Sequence, residues 1–427
     1  MKGVNKIKIL VVGSGAREHT LAWKLAQSPR APEVYAAPGN AGTARFARNV
    51  DIKADDIEGL AAFVQKETID LAVIGPEAPL AAGIVDRFQE IGLPTFGPTQ
   101  AAARIESSKV FSKDLMQKYG IPCAASAAFS DFKEASDYVK NQKAPLWIKA
   151  DGLAAGKGAI YAETIPHALE ILYSLMETKM LGAAGASVVI EEQMTGREMS
   201  AFAVSDGRTV LPMAYACDYK RIYDNDEGPN TGGMGSYSPP VFYTPELGDT
   251  VMQTVMQPAI SAMEKEGAPY KSALFGGLMI TSEGPKVIEF NCRFGDPETQ
   301  VIMRRLKTDL VDIVMAVVNE ELDQVTLEMS DEACVGVVVA SGGYPGDYKT
   351  GFPISGLDDL DEGIEVFHAG TRVGENGEVL TSGGRVLTVT AMGKTLAEAR
   401  EKVYANVSRI RFEGSQYRGD IALIKGQ

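Results

Sequence analysis

Two lysines and three glycines lie close together in one stretch of the chain. The stretch reads Lys149-Ala150-Asp151-Gly152-Leu153-Ala154-Ala155-Gly156-Lys157-Gly158. Apolar runs at 145–148 and 159–162 flank it and predict a strand on each side. Because glycine lets a backbone approach phosphate oxygens and lysine neutralises their charge, the stretch favours a phosphate-binding flap. An ordinary glycine-rich hairpin with a solvated lysine is the alternative.

A Walker-type P-loop does not fit these residues. That motif has four residues between its glycines and a serine or threonine after its lysine. Here three residues separate Gly152 from Gly156, and Gly158 follows Lys157. A P-loop also opens a helix, whereas the residues after Gly158 predict a strand. The flap is therefore closer in design to the glycine-rich loop that covers ATP in kinases.

A second group of polar residues alternates along a predicted strand at 286–294. One face presents Glu289, Asn291 and Arg293, and the residues between them are apolar. A carboxylate and an amide oxygen on one face suit a magnesium ion that also keeps phosphates and water. A half-exposed edge strand would show the same alternation, so both interpretations stay open.

Two more carboxylates, Asp296 and Glu298, follow Arg293 directly. Asp296 would also serve as a helix N-cap, since Pro297 suits the first position of a helix. Capping and a role in chemistry are compatible.

The first hundred residues predict strands at 7–12, 34–37 and 71–74 that alternate with helices. Each strand ends in a loop rich in glycine or proline, which is typical of an open parallel sheet that binds ligands at its strand ends. The loops offer Gly13, Gly15, Arg17, Gly39, Asn40, Gly42 and Glu77.

The first loop begins like a dinucleotide fingerprint but does not complete it. Glu18 stands where the third glycine belongs, and the second strand ends without a carboxylate for a ribose. A sugar phosphate suits these loops better than a nicotinamide cofactor.

Three further predictions concern the elements around these residues. Residues 218–240 predict one long loop centred on 228–236, and an ordered loop of that length is usually functional. A single helix is expected over 80–91. Another should begin after a cap at Thr164 and run to about Met180.

The composition excludes several functional classes. The 427 residues carry a net charge of −14, which disfavours nucleic acid and anionic membranes as partners. Four widely spaced cysteines predict free thiols in a reducing compartment, and three histidines favour oxygen ligands for any metal. No apolar run is long enough for a membrane span, so a cytoplasmic location is expected. The sequence leaves the oligomeric state open, and a monomer is compatible with it.

Taken together, the motifs resemble those of the phosphoribosylamine–glycine ligase family in the ATP-grasp superfamily. The segments that carry this similarity are 149–158, 228–235 and 287–300, with shorter matches at 15–19, 38–42, 75–80, 342–348 and 367–371. The resemblance covers nearly the whole chain. It implies an ATP-dependent ligase that joins glycine to 5-phosphoribosylamine through a glycyl phosphate, early in purine synthesis.

The resemblance also implies a fold with α/β and α+β domains. An N-terminal open parallel α/β (pre-ATP-grasp) domain would cover 1–107. A central ATP-grasp domain would cover 108–330 and contain a mobile small lobe at about 123–197. A C-terminal α+β domain would cover 331–427.

Roles for individual residues follow from the same resemblance. ATP phosphates would contact Lys109, Lys149, Gly152, Gly156, Lys157 and Gly158. The adenine hinge would be Glu191, Glu192, Gln193 and Met194, with Glu198 on the ribose. Glu289 and Asn291 would bind Mg²⁺ or Mn²⁺. The catalytic residues would be Arg293, Asp296 and Glu298, and they would surround glycine together with Asn230, Thr231, Gly232 and Gly233. The N-terminal loops would receive phosphoribosylamine.

Two departures leave questions open. The strand at 277–280 lacks the carboxylate that many ATP-grasp enzymes carry there, so the ligands of a second metal are undefined. The C-terminal end after Ile421 diverges from the usual family ending. A different ATP-grasp ligase or carboxylase, and a nucleotide-binding protein without catalysis, are the other hypotheses.

Overall fold

The computed structural model describes residues 6–153 and 158–424. The first region is a parallel sheet with strand order β3-β2-β1-β4-β5. Its elements are β1 (Lys8–Gly13), α1 (Ala16–Ala26), β2 (Glu33–Pro38), β3 (Arg48–Asn49), α2 (Ile57–Glu67), β4 (Leu71–Ile74), α3 (Glu77–Ala81), α4 (Ile84–Glu90) and β5 (Thr95–Phe96). Strands β1 and β4 are buried along their whole apolar length, as expected of a parallel sheet covered on both faces.

A small antiparallel sheet with strand order β6-β9-β7-β8 follows two linking helices. The elements are α5 (Gln100–Ser107), α6 (Lys109–Tyr119), β6 (Ser126–Phe129), α7 (Phe132–Lys140), β7 (Leu146–Ala150), β8 (Ala159–Ala162), α8 (Ile165–Leu172) and β9 (Val188–Glu192). The Lys149–Gly158 stretch therefore connects two neighbouring antiparallel strands. Its central residues, 154–157, lie outside the described part of the chain.

The largest sheet is antiparallel, with strand order β16-β15-β10-β11-β14-β17-β21-β18. Its central elements are β10 (Arg197–Asp206), β11 (Val210–Asp218), β12 (Arg221–Tyr223), β13 (Glu227–Asn230), β14 (Gly235–Ser238), α9 (Pro245–Val251), α10 (Gln257–Lys265), β15 (Lys271–Thr281), β16 (Gly284–Asn291), α11 (Glu298–Arg305) and α12 (Leu310–Asn319). Strands β12 and β13 form a separate two-stranded ribbon.

The C-terminal strands continue this large sheet. They are β17 (Ala333–Ala340), β18 (Ile364–His368), β19 (Thr371–Val373), β20 (Val379–Thr381) and β21 (Arg385–Gly393), and α13 (Leu396–Val407) packs on β17 and β21. Strand β14 pairs with β11 on one side and with β17 on the other. The C-terminal elements are thus hydrogen-bonded to the central ones through one short strand.

The prediction of a single loop over 218–240 was wrong. The segment forms the β12–β13 ribbon and strand β14, which is buried throughout. Its strands are only three or four residues long, and β13 and β14 are rich in glycine, asparagine and serine, so the segment lacks the sustained apolar alternation that marks a strand. Pairing with longer neighbours, rather than local propensity, makes β14 a strand.

Two predicted helices also differ from the structure. The helix expected over 80–91 is divided into α3 and α4 at Gly83, whose φ of 89° ends the first helix. The helix that begins after Thr164 is capped as expected, with the Thr164 hydroxyl accepting from the His167 N–H. It ends as an α-helix at Leu172 and continues as a π-helical turn to Glu177, short of Met180.

Candidate active site

A cleft of about 600 Å³ lies between the N-terminal parallel sheet, the small antiparallel sheet and the large sheet with its C-terminal strands. Its volume is within the usual range of a small-molecule site. The predicted site residues that line it are Arg17, Glu77, Lys109, Lys149, Gly158, Glu191, Glu192, Gln193, Met194, Glu198, Asn230, Thr231, Gly232, Glu289, Asn291, Arg293, Asp296 and Glu298. Residues separated by almost three hundred positions in sequence therefore face one space.

On the small-lobe side, a buried carboxylate holds two lysines. Lys149 Nζ donates to Glu191 Oε2 at 2.9 Å, and Lys113 Nζ lies 3.1 Å from Glu191 Oε1. All three side chains are almost fully buried. Burial lowers the pKa of Lys113, and Glu191 opposes that effect. Glu191 therefore anchors the lysines with its side chain, so only its backbone is available to an adenine ring.

The described ends of the flap are closely packed or line the cleft. A Cβ on Gly152 would lie 2.7 Å from the Cβ of Ala184, so glycine permits this approach to the small lobe. Gly158 lines the cleft. Gly156 and Lys157 lie outside the described residues, and their predicted contacts with phosphate stay predictions.

Glu289 and Asn291 lie at the end of β16, where the neighbouring Ile288 carbonyl accepts from Lys149 Nζ at 3.3 Å. A register shift between Gly277 and Leu278 interrupts the alternation of β16, so Ile288 faces the cleft together with Glu289. Although water reaches Glu289, desolvation by the cleft walls favours its neutral form. Lys149 and Lys109 outweigh that effect and lower the pKa of this carboxyl group below its ordinary value. Glu289 is therefore an ionised carboxylate at the edge of the cleft.

Arg293 is held by two carboxylates. Its Nη2 donates to Glu106 Oε1 at 2.9 Å, and its Nε lies 3.4 Å from Glu77 Oε2. The same Nη2 lies 3.1 Å from Asn291 Oδ1. Burial raises the pKa of Glu106 and Arg293 partly offsets that rise. The guanidinium thus has a fixed orientation beside Asn291.

Asp296 and Glu298 lie just before and at the start of α11. Asp296 Oδ1 accepts from Gln300 Nε2 at 2.8 Å. Glu298 is buried and accepts from Ser200 Oγ at 3.0 Å. Burial, together with the nearby charge of Asp218, raises the pKa of Glu298 to about 7. Glu298 therefore exchanges a proton near neutral pH.

Glu198, the predicted ribose ligand, is ion-paired in this structure. Lys220 Nζ donates to Glu198 Oε2 at 2.7 Å and to Asp218 Oδ1 at 2.9 Å. Desolvation lowers the pKa of Lys220, but these two carboxylates outweigh it and raise the pKa well above its ordinary value. Glu198 remains half-exposed to the cleft.

The first N-terminal loop surrounds a carboxylate. Glu18 Oε2 accepts from the Gly15 N–H at 2.7 Å, and a Cβ on Gly13 or Gly75 would collide with the Glu18 side chain. Gly13 has a φ of 127°, which an L side chain rarely adopts. Glu18 thus fills the space between the strand-end loops, and its other oxygen is ion-paired with the Arg17 guanidinium. The residue that stands where a dinucleotide fingerprint has its third glycine therefore packs its side chain against these loops.

The second N-terminal loop is used for packing. Asn40 Nδ2 donates to the carbonyls of Ser14 and His368, and a Cβ on Gly42 would collide with His19. Of the predicted substrate ligands, Gly13, Gly15, Gly39, Asn40, Gly42 and Gly233 do not line the cleft, whereas Arg17 and Glu77 do. Gly15 is nevertheless close, since its Cβ would lie 3.6 Å from Asp296 Oδ2.

Sequence reasoning did not assign several residues that line the cleft, namely Glu106, Lys113, Trp147, Asp218, Lys220, Tyr344 and Arg385. Arg385 and Tyr344 come from the C-terminal region. A weak signal existed for Arg385, because it follows two consecutive glycines, but nothing local indicated that it faces the centre of the molecule.

Comparisons with known proteins match the chain to one family over nearly its whole length. Residues 7–106 of this chain match the N domain of the phosphoribosylglycinamide synthetase family. Residues 107–299 match its ATP-grasp (A) domain, and residues 334–424 match its C domain. A phosphoribosylamine–glycine ligase of Vibrio vulnificus is 50% identical over 97% of each chain.

Solved structures show the same relationship. The crystal structure of a phosphoribosylamine–glycine ligase from Thermotoga maritima is 34% identical, covers 97% of this chain and all of its own, and has a TM-score of 0.86. The biotin carboxylase domain of Hydrogenobacter thermophilus 2-oxoglutarate carboxylase, solved with MgADP, covers 96% of this chain and 91% of its own with a TM-score of 0.74. At 15% identity that second likeness shows the ATP-grasp fold alone. The chain therefore belongs to the phosphoribosylamine–glycine ligase family, the ATP-dependent ligases that join glycine to phosphoribosylamine in purine biosynthesis.

Proposed function

We propose that the 600 Å³ cleft is the place where ATP, glycine and 5-phosphoribosylamine react through a glycyl phosphate. The observation that carries the proposal is the arrangement of charge along the cleft. Lys149 and Lys113 meet at Glu191, and Lys149 Nζ also lies 3.3 Å from the Ile288 carbonyl beside Glu289. Arg293, Asp296 and Glu298 line the same cleft. An acyl phosphate forms and reacts in such a site chiefly through positioning and charge neutralisation.

The ATP site would lie between the small lobe and β16. Lys109, Lys149, Gly152, Gly156, Lys157 and Gly158 would bind the phosphates, while 191–194 would contact adenine through the backbone and Glu198 would hold the ribose. Since Glu198 is paired with Lys220, we propose that ribose binding replaces or joins this ion pair.

A divalent cation fits the residues at the end of β16. Glu289 supplies an ionised carboxylate, and Asn291 Oδ1 keeps a lone pair after accepting from Arg293. The described residues contain no group of three or more His, Cys, Asp or Glu placed to hold a metal ion. Two protein ligands are what Mg²⁺ or Mn²⁺ takes when substrate phosphates complete the site. When bound, the cation would neutralise charge on the transferred phosphoryl group.

The acceptor side would be formed by the N-terminal loops and the start of α11. Arg293 would orient the carboxylate of glycine, as its own position is fixed by Glu106 and Glu77. Asp296 would hold an amino group, and Glu298 would take the proton that the attacking amine releases. The pKa of Glu298, about 7, suits that exchange at neutral pH.

We also propose domain boundaries at 107/108 and 330/331, a cytoplasmic location, and small-molecule substrates rather than nucleic acid or membranes as partners. No helix among the described residues is long and apolar enough to cross a membrane.

The test is an ADP-release assay with purified protein across candidate acids and amines. We expect ADP release to require glycine and phosphoribosylamine together, with glycinamide ribonucleotide as the product. Equal turnover with other acids and none with glycine would contradict the proposal, and dependence on bicarbonate would favour a carboxylase instead.

A further inference from the structure

One arginine of the C-terminal region reaches the acceptor side of the cleft. Arg385, the first residue of β21, donates from Nη1 to the Gly232 carbonyl at 2.6 Å and to the Asp296 carbonyl at 2.8 Å. Its Nη2 lies 3.2 Å from Asp296 Oδ2. A single guanidinium therefore joins the glycine turn after β13 to Asp296, two residues before α11.

The same turn is held from its other side. The Gly232 N–H donates to the Tyr344 hydroxyl at 2.9 Å, so both backbone groups of Gly232 are bound by C-terminal side chains. A Cβ on Gly232 would lie 3.0 Å from Arg385 Cζ. Gly233 has a φ of 109°, and a Cβ there would collide with Pro297. The turn is thus enclosed between Arg385 and the Asp296–Pro297 peptide.

These contacts fix Asp296 as well as the turn. One carboxylate oxygen accepts from Gln300 and the other pairs with Arg385, while Gly15 of the first N-terminal loop lies next to that second oxygen. Asp296 therefore lies next to residues from the N-terminal, central and C-terminal parts of the chain, namely Gly15, Gln300 and Arg385. Its position in the cleft depends on a residue almost ninety positions further along the chain.

We infer that Arg385 is a positioning residue for the acceptor substrates, acting through Asp296 and the Gly232–Gly233 turn. The inference rests on the proposed function, because it assigns that part of the cleft to glycine and phosphoribosylamine. The planar fork of arginine matches this task, since one group must serve two carbonyls and a carboxylate at fixed angles. Lysine offers a single point charge on a flexible stem and would keep only the attraction to Asp296.

The consequence is a selective defect. If Asp296 and the turn lose their fixed positions, the binding of glycine and phosphoribosylamine should weaken. The binding of ATP, which would lie on the small-lobe side, should not change. A displacement of about 1 Å at a reacting group costs about 100-fold in rate. Glycyl phosphate formed while the amine is badly placed would be lost to water, so more than one ADP would be released for each ligated product.

The experiment compares Arg385→Gln, Arg385→Lys and Tyr344→Phe with the unaltered full-length chain. For Arg385→Gln we expect kcat/KM for glycine and phosphoribosylamine to fall about 10- to 100-fold, with KM for ATP within about twofold. The ratio of ADP to glycinamide ribonucleotide should rise above one. Arg385→Lys should recover part of the loss, and Tyr344→Phe should show the same pattern more mildly.

Arg409→Gln is the matched control. Arg409 also pairs with a carboxylate, Asp361, and donates to backbone carbonyls in the C-terminal region, but it lies outside the cleft. That variant should lower the melting temperature without changing the kinetic constants or the ADP ratio.

The outcomes separate the two proposals. If the unaltered chain shows no turnover dependent on glycine, the proposed function fails. If it turns over normally and Arg385→Gln keeps its acceptor KM values and an ADP ratio of one, the positioning role is overturned. Should Arg385→Gln fail to fold, Arg385→Lys and Tyr344→Phe decide, and unchanged acceptor constants in both would overturn the role.

Discussion

Lys149 and Glu191 form a buried ion pair between the adjacent antiparallel strands β7 and β9, with 2.9 Å between Nζ and Oε2. Lys113 of α6 approaches the other oxygen of the same carboxylate. The ion pair fixes the position of Lys149, which would reduce the entropy cost of its proposed role as a ligand of the ATP phosphates.

We expect Glu191→Gln to raise KM for ATP by about tenfold or more. Removing one partner of a buried pair costs about 3–5 kcal/mol, because the remaining charge stays buried. The melting temperature should fall with it. Titration of the protein with ATP by calorimetry measures the binding loss directly. Glu266→Gln removes the partner of Lys118 in an exposed pair and should change neither quantity appreciably.

Glu289→Gln should abolish ADP formation at any magnesium concentration. Glutamine keeps the shape of the side chain and loses the charge that a divalent cation needs. Nucleotide binding measured without metal should persist, whereas the enhancement of binding by Mg²⁺ should disappear. Glu283→Gln, at the exposed turn of the same β15–β16 hairpin, is the control. An Mg²⁺ response equal to that of the unaltered protein would contradict a metal role for Glu289.

Much of the fold was predictable, because long apolar strands dominate it. Strands β1, β4 and β17 are continuous buried apolar runs, and the Thr164 cap marks a helix start locally. Strand β14 was missed because its residues carry no apolar signal and it exists only by pairing with β11 and β17. Local sequence cannot report such a partner.

Residues of the candidate site could be predicted where they stand in a contiguous motif, and not where a distant contact places them. Glu289 and Arg293 stand in contiguous motifs, were predicted from spacing and resemblance, and both line the cleft. Arg385 and Lys113 were not, since their role depends on which distant carboxylate each one meets. Asn40 shows the converse case: it stands in a typical ligand motif, yet its amide is used to bind the Ser14 and His368 carbonyls.

Acid should destabilise the contact between the N-terminal and C-terminal regions. His19 and His368 are buried side by side, and the backbone N–H of His368 donates to His19 Nδ1 at 2.7 Å. Burial and the neighbouring His368 lower the pKa of His19 well below 6.5, and burial with Arg45 lowers that of His368 to about 4. The unfolded chain therefore binds more protons below pH 6.5, so the free energy of unfolding falls as pH drops from about 6.5 to 4.

Denaturant unfolding at several pH values measures this dependence. His19→Asn keeps an acceptor near the Nδ1 position and should make the profile flatter between pH 6.5 and 4. The third histidine, His167, is exposed on α8, and His167→Asn should leave the profile unchanged. A profile that is equally steep in the His19 variant would contradict the assignment.

Glu298 should give the ligase an ionisation near neutral pH. Its pKa of about 7 lies above the ordinary value of 4.5, because burial and Asp218 disfavour its charged form. If its carboxylate accepts the amine proton, kcat/KM for phosphoribosylamine should rise with pH and level off above about 7. Glu298→Gln should lower kcat strongly and remove this rising limb.

Stability provides a second, independent readout of the same group. Between pH 4.5 and 7 the folded state keeps a proton on Glu298 that the unfolded chain releases, so the free energy of unfolding should fall as pH rises through this window. Glu298→Gln should remove that component. Glu264→Gln, at an exposed position of α10, should leave both the kinetic and the stability profiles as they are. A rising kinetic limb that persists in Glu298→Gln would assign the ionisation to another group, whereas its loss together with the stability component would place the proton on Glu298.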